Sequence, residues 1–264
     1  MGRAVPELPD VEGYRRVLAE HAVGRRVRQV RVTDSGVLHG VSPAGLDRAL
    51  RDRRFTEPAR HGKWLLAHTD GPTLLLHFGM TGSLHWAEED QPVHRHDRVL
   101  VRTDGGELRY RDMRKLQGLR LAHTDDEVDR VLAELGPDAA AVDVDEFVDR
   151  LAARRRAAVK AVLTDQAVVA GLGNLLADEI LWRAGVHPAT GTGALDRARL
   201  GRLHREMRAV LARAVPAGRV PDRPGWLTGR RDDPTGACPR CGGPLARTRL
   251  AGRTTVWCPV CQPE

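Results

Sequence analysis

Lysine is nearly missing from this chain of 264 residues. Only Lys63, Lys115 and Lys160 stand among 42 basic residues, leaving 42 − 3 = 39 arginines. Aromatic residues make up 4%, and no cysteine occurs before residue 238. No apolar run approaches the ~20 residues that span a bilayer. The leading residues Met1-Gly2-Arg3-Ala4-Val5 lack the apolar core of a secretory signal. These absences argue against a membrane protein, an exported protein and a disulfide framework, and they predict a cytoplasmic protein in a reducing compartment. The arginine bias fits high-GC codon usage, with lysine kept where an ammonium is specifically needed. Chance retention is the alternative at each of the three lysines.

What is present is a basic chain able to fold. The formal charge is +7, the pI about 9.9, and hydrophobic residues are 41%, enough for packed cores. Fixed positive charge suits a polyanion partner through counterion release, although basic proteins without nucleic acid are common.

Two halves differ in pattern. Residues 6–23 carry Val11, Tyr14, Val17 and Leu18 at helical spacing, with Gly24 as the stop. Strand signals follow at 27–32. Trp64–Ala67 and Leu74–Phe78 flank the turn Asp70-Gly71, and 98–102 and 107–111 flank Gly105-Gly106. This predicts a β-rich domain with one leading helix over residues 1–125. Helical patterns then appear at 125–135 (with Thr124 as N-cap), 145–153, 156–163, 175–184 and 195–215, predicting a helical domain over 126–222. A Pro/Gly/Arg-rich stretch from Pro216 to Pro234 reads as a linker or loop. The last unit, 223–264, holds every cysteine.

Cys238-Pro-Arg-Cys241 and Cys258-Pro-Val-Cys261 are separated by 16 residues. Four thiolates at this spacing suit one tetrahedral Zn²⁺, structural because no coordination position stays open for water. The residues between them form a hairpin around Ala251-Gly252 that carries Arg247, Arg249 and Arg253.

Two further segments carry possible chemistry. Gly171-Leu172-Gly173-Asn174 leads into a helix, whose N-terminal amides suit an anion such as a backbone phosphate. An ordinary inter-helix turn is the alternative. Pro6-Glu7 precedes the first helix. A proline with a free nitrogen is a secondary amine that attacks aldehyde carbons to form an iminium ion, and a neighbouring carboxylate supplies acid–base chemistry. Helix capping by Pro6 and Glu7 is the alternative.

Taken together, Pro6-Glu7-Leu8-Pro9-Asp10-Val11-Glu12, Gly62-Lys63, His77-Phe78-Gly79-Met80-Thr81-Gly82, Asp112-Met113-Arg114-Lys115, Leu163-Thr164-Asp165-Gln166, the segment Gly171 to Glu179, and the four cysteines resemble the formamidopyrimidine-DNA glycosylase/endonuclease VIII family of base-excision repair enzymes. The segments occur in the family's order across nearly the whole chain. The resemblance implies an α+β multidomain fold: an N-terminal β-sandwich with a leading helix, a helix–two-turn–helix domain and a C-terminal zinc ribbon, with double-stranded DNA containing a damaged base or abasic site bound in the cleft between. It implies a monomer that excises the base through a proline Schiff base and cleaves the strand by β,δ-elimination.

It also implies roles for single residues. Pro6 attacks C1′ of the damaged nucleotide, Glu7 shuttles protons at the sugar, and Lys63 contacts phosphate at the lesion. Asn174 and Arg253 grip flanking phosphates, and Met80 and Arg114 fill the gap left by the extruded base. His96, Lys115 and Lys160 complete the expected DNA contacts; the alternatives are a core histidine at 96 and a solvated helix lysine at 160. The physics is coherent, because chemistry at C1′ of a stacked nucleotide needs extrusion and a filler, and kinking the duplex costs a few kcal/mol that phosphate contacts recover.

Three departures bear on activity. Leu116 stands where the glycosylase branch often has phenylalanine, and Gln117 follows it. The stretch 216–225 is short where that branch carries a base-capping loop. Both leave the preferred lesion open. Residues 1–5 also precede Pro6, and while they remain its nitrogen is a tertiary amide. A start at Val5, with removal of the initiator methionine, frees that amine. Otherwise the expectation is a damaged-DNA-binding protein or a glycosylase without lyase activity.

Overall fold

A computed structural model of the chain describes residues 5–88, 91–233 and 235–264. Met1–Ala4, which decide the state of Pro6, and Pro234 at the end of the expected linker lie outside the described residues. The chain divides into two compact units. One holds Pro6 and residues 10–133; the other holds Glu7–Pro9 and residues 134–264.

The first unit is a β-sandwich. Its elements are α1 (Leu8–His21), β1 (Val27–Val32), β2 (Leu38–His39), α2 (Pro43–Leu50), β3 (Ala59–His61), β4 (Trp64–Ala67), β5 (Thr73–His77), β6 (Ser83–Ala87), β7 (Asp97–Thr103), β8 (Glu107–Arg111), β9 (Leu119–Ala122) and α3 (Asp125–Leu132). One sheet runs β1-β7-β8-β6 and the other β2-β9-β5-β4-β3. All pairings are antiparallel except β2 with β9.

Both sheets and two helices feed one core. Val11 and Leu18 of α1 meet Leu46 and Leu50 of α2, Leu65 of β4, Leu74 and Leu76 of β5, and Val99 and Val101 of β7. Gly24, at φ 77, turns the chain out of α1 as expected. The helix α2 went unpredicted, although Ser42 caps it and Pro43 occupies its first turn. The helix α3, expected to open the second domain, instead buries Val128 against Leu66, Leu75 and Ala122 of the five-stranded sheet. Its N-cap is Thr124, whose hydroxyl accepts from Glu127 N–H.

The second unit joins the helices and the cysteine-bearing hairpin. It contains α4 (Val144–Ala152), α5 (Val159–Leu163), α6 (Asn174–Ala184), α7 (Arg197–Ala217), β10 (Ala246–Leu250) and β11 (Arg253–Trp257). The predicted stripe Leu200, Leu203, Met207, Val210 and Leu211 is the buried face of α7. Trp182 of α6 packs with Leu227, Cys238, Val256 and Cys258. This contact makes the hairpin part of the helical unit instead of a detached bead. Among the described residues, no helix is long and apolar enough to cross a membrane.

Candidate nucleic-acid interface and catalytic residues

In the first unit, Pro6 is buried directly ahead of α1, following the exposed Val5. Lys63 sits with Gly62, at φ 56, in the tight turn between β3 and β4. Its charge reaches His77 at the end of β5. Burial, then repulsion by Lys63, pushes the His77 imidazole down to about 4, so the ring is neutral near pH 7. Nδ1 of His77 accepts from Gly79 N–H at 3.0 Å, which sets the turn leading to Met80.

That turn and the one after β8 are braced together. The Thr81 hydroxyl donates to Asp112 Oδ1 at 2.5 Å, and the Arg114 N–H donates to Thr81 Oγ1 and to Asp112 Oδ1, both at 3.1 Å. Asp112 is buried, whereas Met80, Met113 and Leu116 are among the exposed large apolar residues and Arg114 is exposed. A buried carboxylate thus supports a rigid ledge of exposed apolar and cationic side chains. Lys115 lies beside it at φ 54, with Nζ 2.7 Å from Asp34 Oδ2. His96 is not a core histidine. It is half-buried in the turn before β7, with Nδ1 3.1 Å from Arg98 Nη2. Partial desolvation and the surrounding Arg95, Arg98, His94 and Arg111 hold its pKa below the usual value.

In the second unit the glycine turn is occupied by Glu7. Its carboxylate accepts N–H groups from Gly173 at 2.9 Å, Leu175 at 2.7 Å and Leu176 at 3.1 Å, at the start of α6. The anion at this helix N-terminus is therefore the protein's own carboxylate. This corrects both readings from sequence: the turn amides do not face a phosphate, and Glu7 caps α6, not its own helix. The glycines follow from this contact. A Cβ on Gly173 would lie 2.3 Å from Glu7 Cδ, and one on Gly171, at φ 110, would lie 2.6 Å from Leu8 Cδ1. Gln166 staples the turn, donating to Leu172 O at 2.8 Å and accepting from Gly171 N–H at 3.0 Å. The segment ending in Gln166 owes its place in the pattern to this staple.

Lys160 is the second correction. It is 1% exposed, so it is neither a solvated helix lysine nor a phosphate contact. Its Nζ lies 2.6 Å from Asp178 Oδ1, 2.8 Å from Thr255 Oγ1 and 3.1 Å from Thr254 O. Burial, with the positive charges of Arg231 and Arg253, lowers its pKa. Asn174 at the head of α6 donates from Nδ2 to the same Thr254 carbonyl at 3.0 Å. Arg253 is exposed at the start of β11, next to that carbonyl. The structure thus brings Asn174, Lys160 and Arg253 around one point of the hairpin.

The four cysteines fit zinc. Their Sγ atoms all lie within 4.8 Å of one another, with Cys238 to Cys261 at 3.8 Å and Cys241 to Cys258 at 3.5 Å. Tetrahedral Zn–S bonds of ~2.3 Å require S···S separations of about 3.8 Å. Trp182 Nε1–H donates to Cys238 Sγ at 3.3 Å, the kind of outer contact that stabilises a thiolate ligand.

Three family models match the chain in order. They are the formamidopyrimidine-DNA glycosylase N-terminal domain over residues 5–119, the helix–two-turn–helix domain of the same enzymes over 135–221, and a zinc finger shared with isoleucyl-tRNA synthetases over 237–263. The chain is 40% identical to the formamidopyrimidine-DNA glycosylase of Halorhodospira halophila over 270 residues, covering 98% of this chain and all of the relative. The chain belongs to the formamidopyrimidine-DNA glycosylase family. The enzyme of that name from Methylococcus capsulatus is 39% identical with the same coverage. Among solved structures, the Lactococcus lactis formamidopyrimidine-DNA glycosylase bound to abasic-site DNA superposes with a TM-score of 0.88 at 30% identity, covering 98% of this chain and all of that one. A point mutant of that enzyme bound to DNA containing Fapy-dG gives 0.87, also at 30% identity.

Sequence reasoning gave no role to Asp178, although it lies within the segment Gly171 to Glu179, nor to Arg231 or the Thr254 carbonyl. Asp178 is 1% exposed and pairs with both Lys160 and Arg231. The signal in the sequence was the acidic pair Asp178-Glu179 in a largely apolar helix.

Proposed function

We infer that this protein is a DNA glycosylase with abasic-site lyase activity, acting as a monomer on double-stranded DNA with a damaged base, in the reducing bacterial cytoplasm. The observation that carries this reading is the immobilised Glu7 carboxylate beside Pro6. Three amide donors and the positive end of α6 hold the carboxylate of the residue that follows Pro6 in the chain. The Pro6 nitrogen, once free, attacks C1′ of the damaged nucleotide; the C1′–base bond breaks and the base leaves with a proton. Glu7 moves protons at the sugar as the ring opens and the iminium ion forms. The iminium then acts as the electron sink for loss of the 3′- and 5′-phosphates, and water releases Pro6. Lys63 and Arg253 serve the phosphates. Met80 and Arg114, on their braced ledge, fill the space of the extruded nucleotide.

Borohydride trapping tests this directly. A chain beginning at Pro6 is expected to form a covalent adduct with abasic-site DNA, because reduction converts the iminium to a stable amine. The chain beginning at Met1 is expected not to trap while its extension is intact by mass, since Val5 acylates the Pro6 nitrogen. Pro6→Gly in the chain beginning at residue 6 should keep part of the activity through a primary amine. Equal trapping by both chains would exclude Pro6 as nucleophile and make Lys63 the next residue to replace. Damaged-DNA binding without trapping by the Pro6-first chain would identify a binding protein.

A further inference from the structure

We propose that Arg231 is a positioning residue for Arg253: together with Lys160 and Asp178 it fixes the Thr254 carbonyl and so sets where the Arg253 guanidinium meets DNA. The proposal rests on the reading of Arg253 as a phosphate contact. The carbonyl of Thr254 receives three side chains from three parts of the second unit. They are Lys160 of α5 at 3.1 Å, Asn174 of α6 at 3.0 Å, and Arg231 Nη2, which follows the short 3₁₀ turn at 228–230, at 2.5 Å. Two of these donors are buried cations. Their countercharge is Asp178, which pairs with Lys160 through Oδ1 and with Arg231 through Oδ2. Oδ2 also accepts from Val256 N–H at 3.1 Å. The buried cluster therefore grips the backbone at Thr254 and Val256 and the hydroxyl of Thr255, the three residues after Arg253.

Zinc alone cannot do this. The nearest cysteine to Arg253 along β11 is Cys258, five residues on, roughly 16 Å of extended chain. Arg253 lies at the opposite end of the hairpin, beside Ala251 and Gly252, which both hold positive φ. The metal knot anchors the base of the hairpin, and the Arg231 cluster anchors its tip. Asn174, the other expected phosphate contact, is tied to the same carbonyl, so both contacts share one support. Arg231 itself is 6% exposed and its guanidinium is engaged within the protein, so it is not placed as a DNA contact of its own.

The test measures the slope of log binding constant against log salt for the full zinc-loaded chain on an abasic-site duplex. The variants are Arg253→Ala, Arg231→Gln and the double variant, each checked for one zinc per chain and for a melting point above the assay temperature. Arg253→Ala should lower the slope by about one. Arg231→Gln should lower it equally although Arg253 is still present, and the double variant should go no lower. A folded Arg231→Gln protein with the wild-type slope would make the cluster merely structural and overturn the proposal. A double variant lower by about two would make Arg231 a separate phosphate contact and overturn it as well. An unchanged slope for Arg253→Ala would instead remove the phosphate reading on which the proposal stands. If Arg231→Gln yields no zinc-loaded protein, Lys160→Gln is measured the same way, with the same outcomes deciding.

Discussion

The Glu7 carboxylate accepts a hydrogen bond from the Gly173 amide, 166 residues further along the chain, at 2.9 Å. The catalytic candidate that follows Pro6 is thereby held by the helix–turn–helix segment, and the turn is glycine because the carboxylate leaves no room for a Cβ.

Gly173→Ala is expected to push Glu7 off its three amides. The overpacking should cost about 1–3 kcal/mol in urea denaturation. Base release should fall by two orders of magnitude or more, the typical contribution of a positioned proton-transfer group. Glu7→Gln should spare DNA binding and lose base release while still cleaving a preformed abasic site. Comparing single-turnover rates on damaged-base and abasic duplexes checks this. A Gly173→Ala protein with wild-type base release would show that the placement of Glu7 is not required.

How far the sequence speaks depends on whether a signal is local. The Ala251-Gly252 hairpin, the Thr124 cap and the α7 stripe rest on turn chemistry and periodicity, and each appears as read. The cysteine cluster was legible because ligand spacing is itself a local code. Lys160 and the glycine turn were misread because their partners are remote: Asp178 lies a helix away, Thr254 is 94 residues on, and Glu7 is near the other end of the chain. A lone basic residue or a run of free amides looks the same in sequence whether it faces a phosphate or a carboxylate of the same protein. The helix α3 was placed by type but not by domain, since its amphipathic face does not say which sheet it covers.

Metal analysis of the purified protein should give one zinc per chain. Chelation should disturb more than the hairpin, because Trp182 of α6 packs on Cys238 and Cys258 and donates to Cys238 Sγ. Tryptophan fluorescence should change together with zinc release, and DNA binding should fall with both. A stoichiometry near zero in folded, DNA-binding protein would remove the structural zinc.

The ledge of Met80 and Arg114 should separate stability from recognition. Both side chains are exposed, so Met80→Ala and Arg114→Ala should each change unfolding free energy by no more than about 0.5 kcal/mol. Their preference for abasic over intact duplex, read by competition binding, should drop. Thr81→Val should do both, since it strips the hydroxyl from buried Asp112 and costs about 1–3 kcal/mol. An unaltered preference in the Met80→Ala/Arg114→Ala double variant would take the ledge out of the interface.

His77 should make the protein sensitive to mild acid. Its imidazole is held at about 4 in the fold, first by burial and then by Lys63, against about 6.5 when unfolded. Between those values the unfolded chain binds the proton that the folded chain refuses, so stability is full above about pH 6.5 and declines as pH falls toward 4. The full difference corresponds to up to about 3 kcal/mol, at 1.36 kcal/mol per pH unit. His77→Asn keeps an acceptor for the Gly79 amide but cannot titrate. Urea denaturation of both proteins at pH 7 and pH 4.5 isolates the effect, because every other titrating group is common to the pair. The wild type should lose roughly 2–3 kcal/mol more than the variant over that interval. Parallel losses would mean that His77 takes up its proton in the folded state as readily as in the unfolded one. The Lys63 ammonium would then face a cation at pH 6 instead of a neutral ring.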